Sequence, residues 1–143
     1  MSSSEQRAAE WECQQLLNKA IHLLDSGRWD DLALCFTEDA AFFRPTDPNN
    51  GIIGREAIHK AFSSRPPRIT NHMLANTWFE GYTGTEMQAR SRVLLLSGSP
   101  AEKLPAPAEG KLIIGEFSDT LRKAGGQWLI AERKGRLDLA FGA

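Results

Sequence analysis

The chain has 143 residues, of which 41% are apolar and 24% charged, and its 17 lysine and arginine residues nearly balance 18 aspartate and glutamate residues. This length predicts one domain over residues 1–143, the net charge of −1 excludes a general nucleic-acid binder, and no apolar run approaches the ~20 residues that span a membrane. The sequence has no signal-peptide pattern, no CxxC or HExxH motif and no nucleotide-binding loop, so we expect a cytoplasmic protein without metal or cofactor, with Cys13 and Cys35 reduced.

Helical spacing of apolar residues predicts two helices at the N-terminus and a third after the first strand. Ser2 and Glu5 have the spacing of a capping box at the start of the first helix, and Gly27 ends it. A shorter helix follows directly, so the first two helices form an αα-hairpin. The third helix follows Gly54 and stops before Pro66.

Five strands are predicted between and after these helices. A short strand at 40–43 precedes a loop at 46–51, and four long strands follow at 69–79, 85–96, 111–122 and 127–139. The segment 97–110 contains three prolines and is interpreted as a surface insertion or as a lid over a site. Helices followed by a meander of antiparallel strands indicate an α+β fold, with the helices on one face of a curved sheet.

Six stretches spread over the whole chain carry a family resemblance: 24–32, 36–40, 54–58, 72–76, 117–122 and 126–133. In this order they resemble the SnoaL-like branch of the nuclear transport factor 2-like (cystatin-like) superfamily. Segments 72–76 and 133–138 also resemble the small (β) subunits of aromatic-ring-hydroxylating dioxygenases. The resemblance implies three N-terminal helices packed on a strongly curved antiparallel or mixed sheet, forming a cone with a pocket. Members include dehydratases, isomerases, polyketide cyclases, non-catalytic binders and structural subunits, so the fold alone does not set the function.

His72 and Asp39 are the candidate catalytic residues. His72 lies on the strand 69–79, and the alternation of side chains predicts Asn76 and Trp78 on its face. An imidazole takes up and returns a proton near neutral pH, which makes His72 the candidate general base. The alternative is a histidine bonded within a polar patch or a subunit interface. Asp39 starts the first strand and either orients the histidine or bonds backbone donors at a turn.

The last hairpin contains Glu116, Asp119 and Arg133, and its register decides what they do. We expect a four-residue loop at 123–126, which sets Glu116 opposite Arg133. A two-residue turn would set Asp119 opposite another carboxylate, and a bulge at Gly115 would shift the register by one. In a pocket Arg133 would hold an anion or a carbonyl oxygen, whereas on an exposed face the pair would be structural.

Aromatic residues are predicted to wall a cavity for a small apolar or aromatic ligand, unless they only pack against each other in the core. The candidates for ligand binding are Trp29, Phe43, Trp78 and Phe117. Because the strand 69–79 is apolar on both faces, we expect helices to pack on one face and a second subunit on the other, which predicts a homodimer. The opposite strand, 85–96, carries arginines on its polar face.

Three functions remain open from the sequence. The first is a cofactor-independent dehydratase, isomerase or cyclase that moves a proton on an aromatic or polyketide-like substrate, with Asn76 or Arg133 holding a carbonyl oxygen. The second is a non-catalytic subunit resembling a dioxygenase β subunit, and the third is a ligand-binding domain without chemistry. Catalytic members of the resembling family usually present a second histidine or a tyrosine, whereas the single tyrosine here, Tyr82, falls in a predicted turn.

Overall fold

A computed structural model describes residues 3–110 and 112–142. Within these ranges the chain forms helices α1 (Ser3–Asp25), α2 (Trp29–Ala33) and α3 (Arg55–Ser63), and strands β1 (Phe36–Arg44), β2 (Asp47–Ile53), β3 (Ile69–Glu80), β4 (Glu86–Gly98), β5 (Leu112–Ala124) and β6 (Gln127–Phe141). The predicted capping residue Ser2 and the predicted strand residue Lys111 lie outside the described residues.

The six described strands form one mixed sheet in the order β2-β1-β6-β5-β4-β3. All neighbouring strands are antiparallel except β1 and β6, which run parallel. The sheet has β2 and β3 at its two edges and is not closed. The prediction of an α+β fold with a mixed sheet is therefore confirmed.

Strand β2 was not expected, because its Pro- and Asn-rich sequence predicted a loop. It pairs with β1 through Ala41 opposite Ile53 and Phe42 opposite Ile52. As an edge strand it bonds a neighbour on one side only, so Pro48 does not interrupt a central ladder. The prediction of a loop at 46–51 is wrong for this reason.

The core lies between the helices and the inner face of the sheet. Cys13, Leu17 and Ile58 from the helices are fully buried, and so are sheet residues such as Phe36 and Met87. Strand β4 follows its predicted alternation, because its inward-facing residues are buried while its two arginines remain exposed: Met87, Ala89 and Ser91 against Arg90 and Arg92.

Both cysteines are buried free thiols, as predicted. Burial, followed by the nearby charges of Glu12 and Glu10, raises the pKa of the Cys13 thiol to about 12. Burial also raises the pKa of Cys35. These thiols therefore act as small core side chains and not as nucleophiles.

The proline-containing segment between β4 and β5 is tied back to the end of β4. The backbone N–H of Glu109 donates to the Ser97 carbonyl oxygen at 2.7 Å, and the Ser99 hydroxyl donates to the Glu109 carboxylate at 2.5 Å. Pro100 lines a groove beside the end of α1. No helix in ranges 3–110 and 112–142 has the length and apolarity to cross a membrane.

Candidate active site

A histidine–aspartate pair joins the end of α1 to strand β3. The Nδ1 atom of His72 lies 2.6 Å from Oδ1 of Asp25, and the backbone N–H of His72 donates to Oδ2 at 2.8 Å. The Thr70 hydroxyl donates to Oδ1 at 2.8 Å. The side chains of His72 and Asp25 are 8% and 19% exposed. The carboxylate thus receives three hydrogen bonds from one short strand segment, which fixes the imidazole in place.

These bonds also settle the charge of Asp25 and the tautomer of His72. Burial opposes ionisation of Asp25, but hydrogen bonds from the His72 ring, the His72 backbone and Thr70 outweigh it and lower the pKa of this carboxyl below its ordinary value. An ionised Asp25 can only accept a hydrogen bond, so Nδ1 of His72 carries the proton in this contact. In the neutral ring the lone pair then lies on Nε2. In this tautomer Nε2 is the ring nitrogen that can accept a proton.

The sequence pattern does not indicate a functional role for Asp25, which it places only in the turn that ends α1. Its partner lies 47 positions further along the chain, so local periodicity carries no sign of the contact. One signal was available. A carboxylate in the last turn of a helix faces the negative end of the helix dipole, which is an unfavourable position and an indication of another role.

His72 lines a cavity of about 180 Å³ between the helices and the inner face of the sheet. Most of its walls are apolar, including Leu24, Phe36, Phe42, Phe62, Val93, Leu95, Ile113 and Phe117. A groove of about 410 Å³ lies beside it, is lined by Asp25 and Thr70, and shares Arg65 and Arg68 with the cavity. The His72–Asp25 pair therefore separates an apolar chamber from a more open groove. No group of three metal-ligating side chains occurs among the residues that the structure describes.

A second buried pair, Arg133 and Asp119, forms another part of the wall. Arg133 Nε donates to Asp119 Oδ1 at 2.7 Å and Nη2 donates to Oδ2 at 3.0 Å. The two side chains are 5% and 0% exposed, and the guanidinium carbon lies 4.3 Å from the centre of the Phe117 ring. Asp119 accepts one N–H from Nε and one from Nη2, so three of the five N–H donors of Arg133, which lines the cavity, carry no hydrogen bond to Asp119.

The register of the last hairpin differs from the preferred prediction. The turn has two residues, Gly125 and Gly126, both with positive φ (58° and 79°), as the tight turn of a hairpin requires. The predicted four-residue loop, with Glu116 opposite Arg133, is wrong because the turn has only two residues. An irregularity between Leu121 and Thr120 then moves the pairing by one further residue, so that Asp119 lies opposite Arg133 and not opposite Glu132.

Glu116 faces the outer side of the sheet and not the cavity. It lies opposite Arg136, with 2.9 Å between its Oε2 and the arginine Nη2, and its Oε1 lies 3.2 Å from Nη1 of Arg92. The register does shift at Gly115, as expected, and a Cβ there would lie 2.1 Å from the Arg136 carbonyl oxygen. The predicted role of Glu116 in the pocket is therefore replaced by a structural one.

Asn76 and Trp78 do not share the face of His72. Asn76 adopts a φ of 54°, and the pairing of β3 with β4 is irregular between Ala75 and Trp78. After this bulge Thr77 faces inward, with its hydroxyl 2.9 Å from that of Ser91. Trp78 is 64% exposed and lines an outer hollow together with Asn76. The prediction of one shared face is wrong because the bulge exchanges the two faces of the strand.

The structure also places Asp39 away from His72. Its carboxylate is 76% exposed and receives bonds from the Thr37 hydroxyl at 2.9 Å and from Arg122 Nη1 at 3.4 Å. The hydrogen bond from Thr37, and to a smaller extent the charge of Arg122, lower the pKa of Asp39. Asp39 therefore does not form the predicted pair with His72, whose aspartate partner is Asp25.

Two aromatic candidates lie outside the cavity wall. Phe43 points to the outer side, where Lys134 Nζ lies 5.6 Å from its ring centre, while its neighbour Phe42 lines the cavity. Trp29 lines the groove and stacks on Phe62 with ring centres 6.0 Å apart. Of the predicted binding residues, Arg133 and Phe117 meet His72 at the cavity.

Comparison with known proteins identifies a family and similar structures. Residues 5–134 match the model of the SnoaL-like domain. A putative scytalone dehydratase from Novosphingobium aromaticivorans is 25% identical, with a TM-score of 0.84 over 98% of this chain and 91% of that one. A Catenulispora acidiphila protein in complex with S-DNPA is 26% identical, with a TM-score of 0.74 over 92% and 95%. A hexachlorocyclohexane dehydrochlorinase, 17% identical, shares the fold with a TM-score of 0.82 over 98% and 92%. No curated protein matches the sequence.

Proposed function

The chain belongs to the SnoaL-like domain family of the nuclear transport factor 2-like superfamily, and we propose that it is a cofactor-independent lyase or isomerase. The observation that carries this proposal is the His72–Asp25 pair at the wall of an apolar cavity. The similarity to a putative scytalone dehydratase supports elimination of water as the reaction class. The substrate is a small molecule with an apolar, aromatic or polyketide-like ring.

In this proposal His72 acts as the general base. Nε2 takes a proton from a carbon beside the substrate carbonyl, and the electron pair of the C–H bond moves towards the carbonyl oxygen as an enolate forms. The imidazolium is stabilised by the ionised Asp25, 2.6 Å from Nδ1. In a dehydration the enolate re-forms the carbonyl, a C=C bond forms, and the bond to the substrate hydroxyl group breaks. His72 returns its proton to the oxygen of this departing hydroxyl group, which leaves as water. In an isomerisation the proton returns to another carbon.

Arg133 is proposed to stabilise the enolate. Arg133 lines the cavity, and its guanidinium is held by two hydrogen bonds to Asp119 and lies over the Phe117 ring. A donor fixed before the reaction stabilises developing negative charge without having to reorganise. Asp119 is then a positioning residue, which acts only through Arg133.

The direct test uses proton transfer itself as the readout. We expect the protein in D₂O to accelerate the exchange of the C1 protons of 2-tetralone, and to convert 3-hydroxy-1-tetralone to 1-naphthol with loss of water. Exchange is followed by the decay of the proton NMR signal and dehydration by naphthol fluorescence. Free imidazole at the same concentration is the control for general buffer catalysis. Rates no higher than with imidazole for both compounds would contradict the proposal.

A homodimer is proposed from the outer face of the sheet. Met73 and Trp78 on this face are 52% and 64% exposed, which is unusual for large apolar side chains on one strand. The same face would serve the second candidate function, a non-catalytic subunit that docks a different partner. We expect light scattering to give twice the chain mass of 15.9 kDa and Trp78→Glu to give the single mass. A wild-type monomer would contradict the homodimer, and the exposed Arg7→Gln variant controls for a change of surface charge.

A further inference from the structure

Three arginines line the cavity that contains His72: Arg44 at the end of β1, and Arg65 and Arg68 after α3. None of the three forms an ion pair or a side-chain hydrogen bond with the residues in 3–110 and 112–142. The other two arginines at the cavity differ in this respect, because Arg133 is paired with Asp119 and Arg136 with Glu116. Uncompensated positive charge is thus confined to one part of the wall.

The buried part of this cluster lacks an acceptor. The Nε atom of Arg44 is buried and has no hydrogen-bond partner among the described residues. Buried donors in native proteins are nearly always bonded, since an unmade hydrogen bond to a charged group is costly. Residues 3–110 and 112–142 supply no acceptor for this N–H, which leaves it available to a bound molecule.

Arg65 shows how strongly the three charges interact. Burial, together with the positive charges of Arg68 and Arg44, lowers its pKa to about 10. It remains protonated at neutral pH, with its guanidinium carbon 4.6 Å from the centre of the Phe62 ring. The ring lies against the guanidinium at the cavity, and an anion bound among the three arginines would relieve their mutual repulsion.

The carboxylate that shares the groove with two of these arginines is already engaged. Asp25 lines the groove that Arg65 and Arg68 also line. Its oxygens accept from His72 and Thr70, and it forms no ion pair with either arginine. The anion that completes the cluster therefore comes from outside the chain.

We propose that the cavity takes a small apolar ring compound bearing a carboxylate, which binds to Arg44, Arg65 and Arg68 and directs the ring towards His72. Guanidinium groups match a carboxylate by paired hydrogen bonds, and the apolar walls accept the ring. This inference names the substrate class of the proposed enzyme, and it rests on the proposed function for the reaction of the ring at His72. The docking of the anion does not require catalysis.

The test compares benzoate with benzamide, which has the same shape but no charge. Isothermal titration calorimetry should show benzoate binding about tenfold tighter or more, and added salt should weaken benzoate only. Arg65→Gln should lower benzoate affinity about tenfold and leave benzamide unchanged. The control is Arg7→Gln, which removes the same charge from α1 about 27 Å along the helix from Asp25. This control should bind both compounds as the wild type does.

Several results would overturn the proposal. These are absence of benzoate binding, equal affinity for benzoate and benzamide, or tighter binding of phenyl phosphate than of benzoate. Unchanged benzoate binding in both Arg65→Gln and Arg44→Gln would also overturn it, and the second variant serves if the first fails to fold. His72→Gln should still bind benzoate, because the anion site does not depend on catalysis. A wild-type protein that binds benzoate but moves no proton would refute the proposed reaction and would leave the proposed anion site in place.

Discussion

Replacing His72 with glutamine is expected to lower kcat/KM for proton removal by about 10²–10⁴, the usual contribution of a general base. Glutamine can still donate a hydrogen bond to Asp25 but has no atom that takes a proton at neutral pH. The effect should appear in kcat, because the apolar walls and the arginines that bind the substrate are unchanged. The measurement is the rate of 2-tetralone exchange or of 1-naphthol formation under saturating conditions.

The chain contains a matched control for this change. His59 also contacts an aspartate, with 2.7 Å between its Nε2 and Oδ1 of Asp30. That pair lies on the surface, where the Asp30 side chain is 96% exposed, and it lines none of the cavities described above. His59→Gln should therefore keep the full rate. A His72→Gln variant that retains the wild-type rate, with a native circular dichroism spectrum, would exclude His72 as the base.

Much of the fold is predictable from local patterns. The alternation in β4, with Met87 and Ala89 buried and Arg90 exposed, follows from the two-residue period of a strand with one buried face. The long strands, the helical segments and the choice of His72 as a candidate need only local spacing and the order of the family's stretches. These features depend on neighbours in the chain, which is why the sequence alone indicates them.

The errors in side-chain orientation in β3 and in the last hairpin involve a different cause, which is a shift of one residue at a bulge. Asn76, at a φ of 54°, turns Trp78 out of the face that His72 occupies. In the last hairpin, a two-residue turn together with a similar shift brings Asp119, and not Glu116, opposite Arg133. Asparagine tolerates this backbone conformation better than most residues, but its presence does not require it. One extra residue moves every later side chain of the strand to the opposite face of the sheet, so an error at one bulge affects the rest of the strand.

The partner of His72 illustrates the other limit. Asp25 and His72 are brought together only when α1 packs on β3, and that contact depends on the tertiary arrangement. Asp39 was the plausible alternative because it also precedes a strand. The sequence thus indicates His72 as the candidate base, whereas the carboxylate that bonds it, Asp25, is found only in the folded structure.

Removing the carboxylate of Asp119 is expected to be the most destabilising single change at the site. Asp119→Ala leaves the Arg133 guanidinium buried, at 5% exposure, without its two charge-assisted hydrogen bonds of 2.7 and 3.0 Å. Breaking a buried pair in this way costs about 3–5 kcal/mol, because desolvation of the remaining charge is no longer offset. The free energy of unfolding from urea titration is the measurement.

An exposed pair of the same kind provides the comparison. Arg136 also bonds Asp138 through Nε at 2.6 Å and Nη2 at 3.3 Å, but its side chain is 61% exposed. Asp138→Ala should therefore lower the free energy of unfolding much less than Asp119→Ala does. Equal losses for Asp119→Ala and Asp138→Ala would show that burial does not set the strength of the inner pair. A double variant, Asp119→Leu with Arg133→Met, should recover most of the stability, since apolar residues of similar volume replace a buried pair at little cost. It should not recover catalysis, because the proposed role of Arg133 requires a donor that methionine lacks.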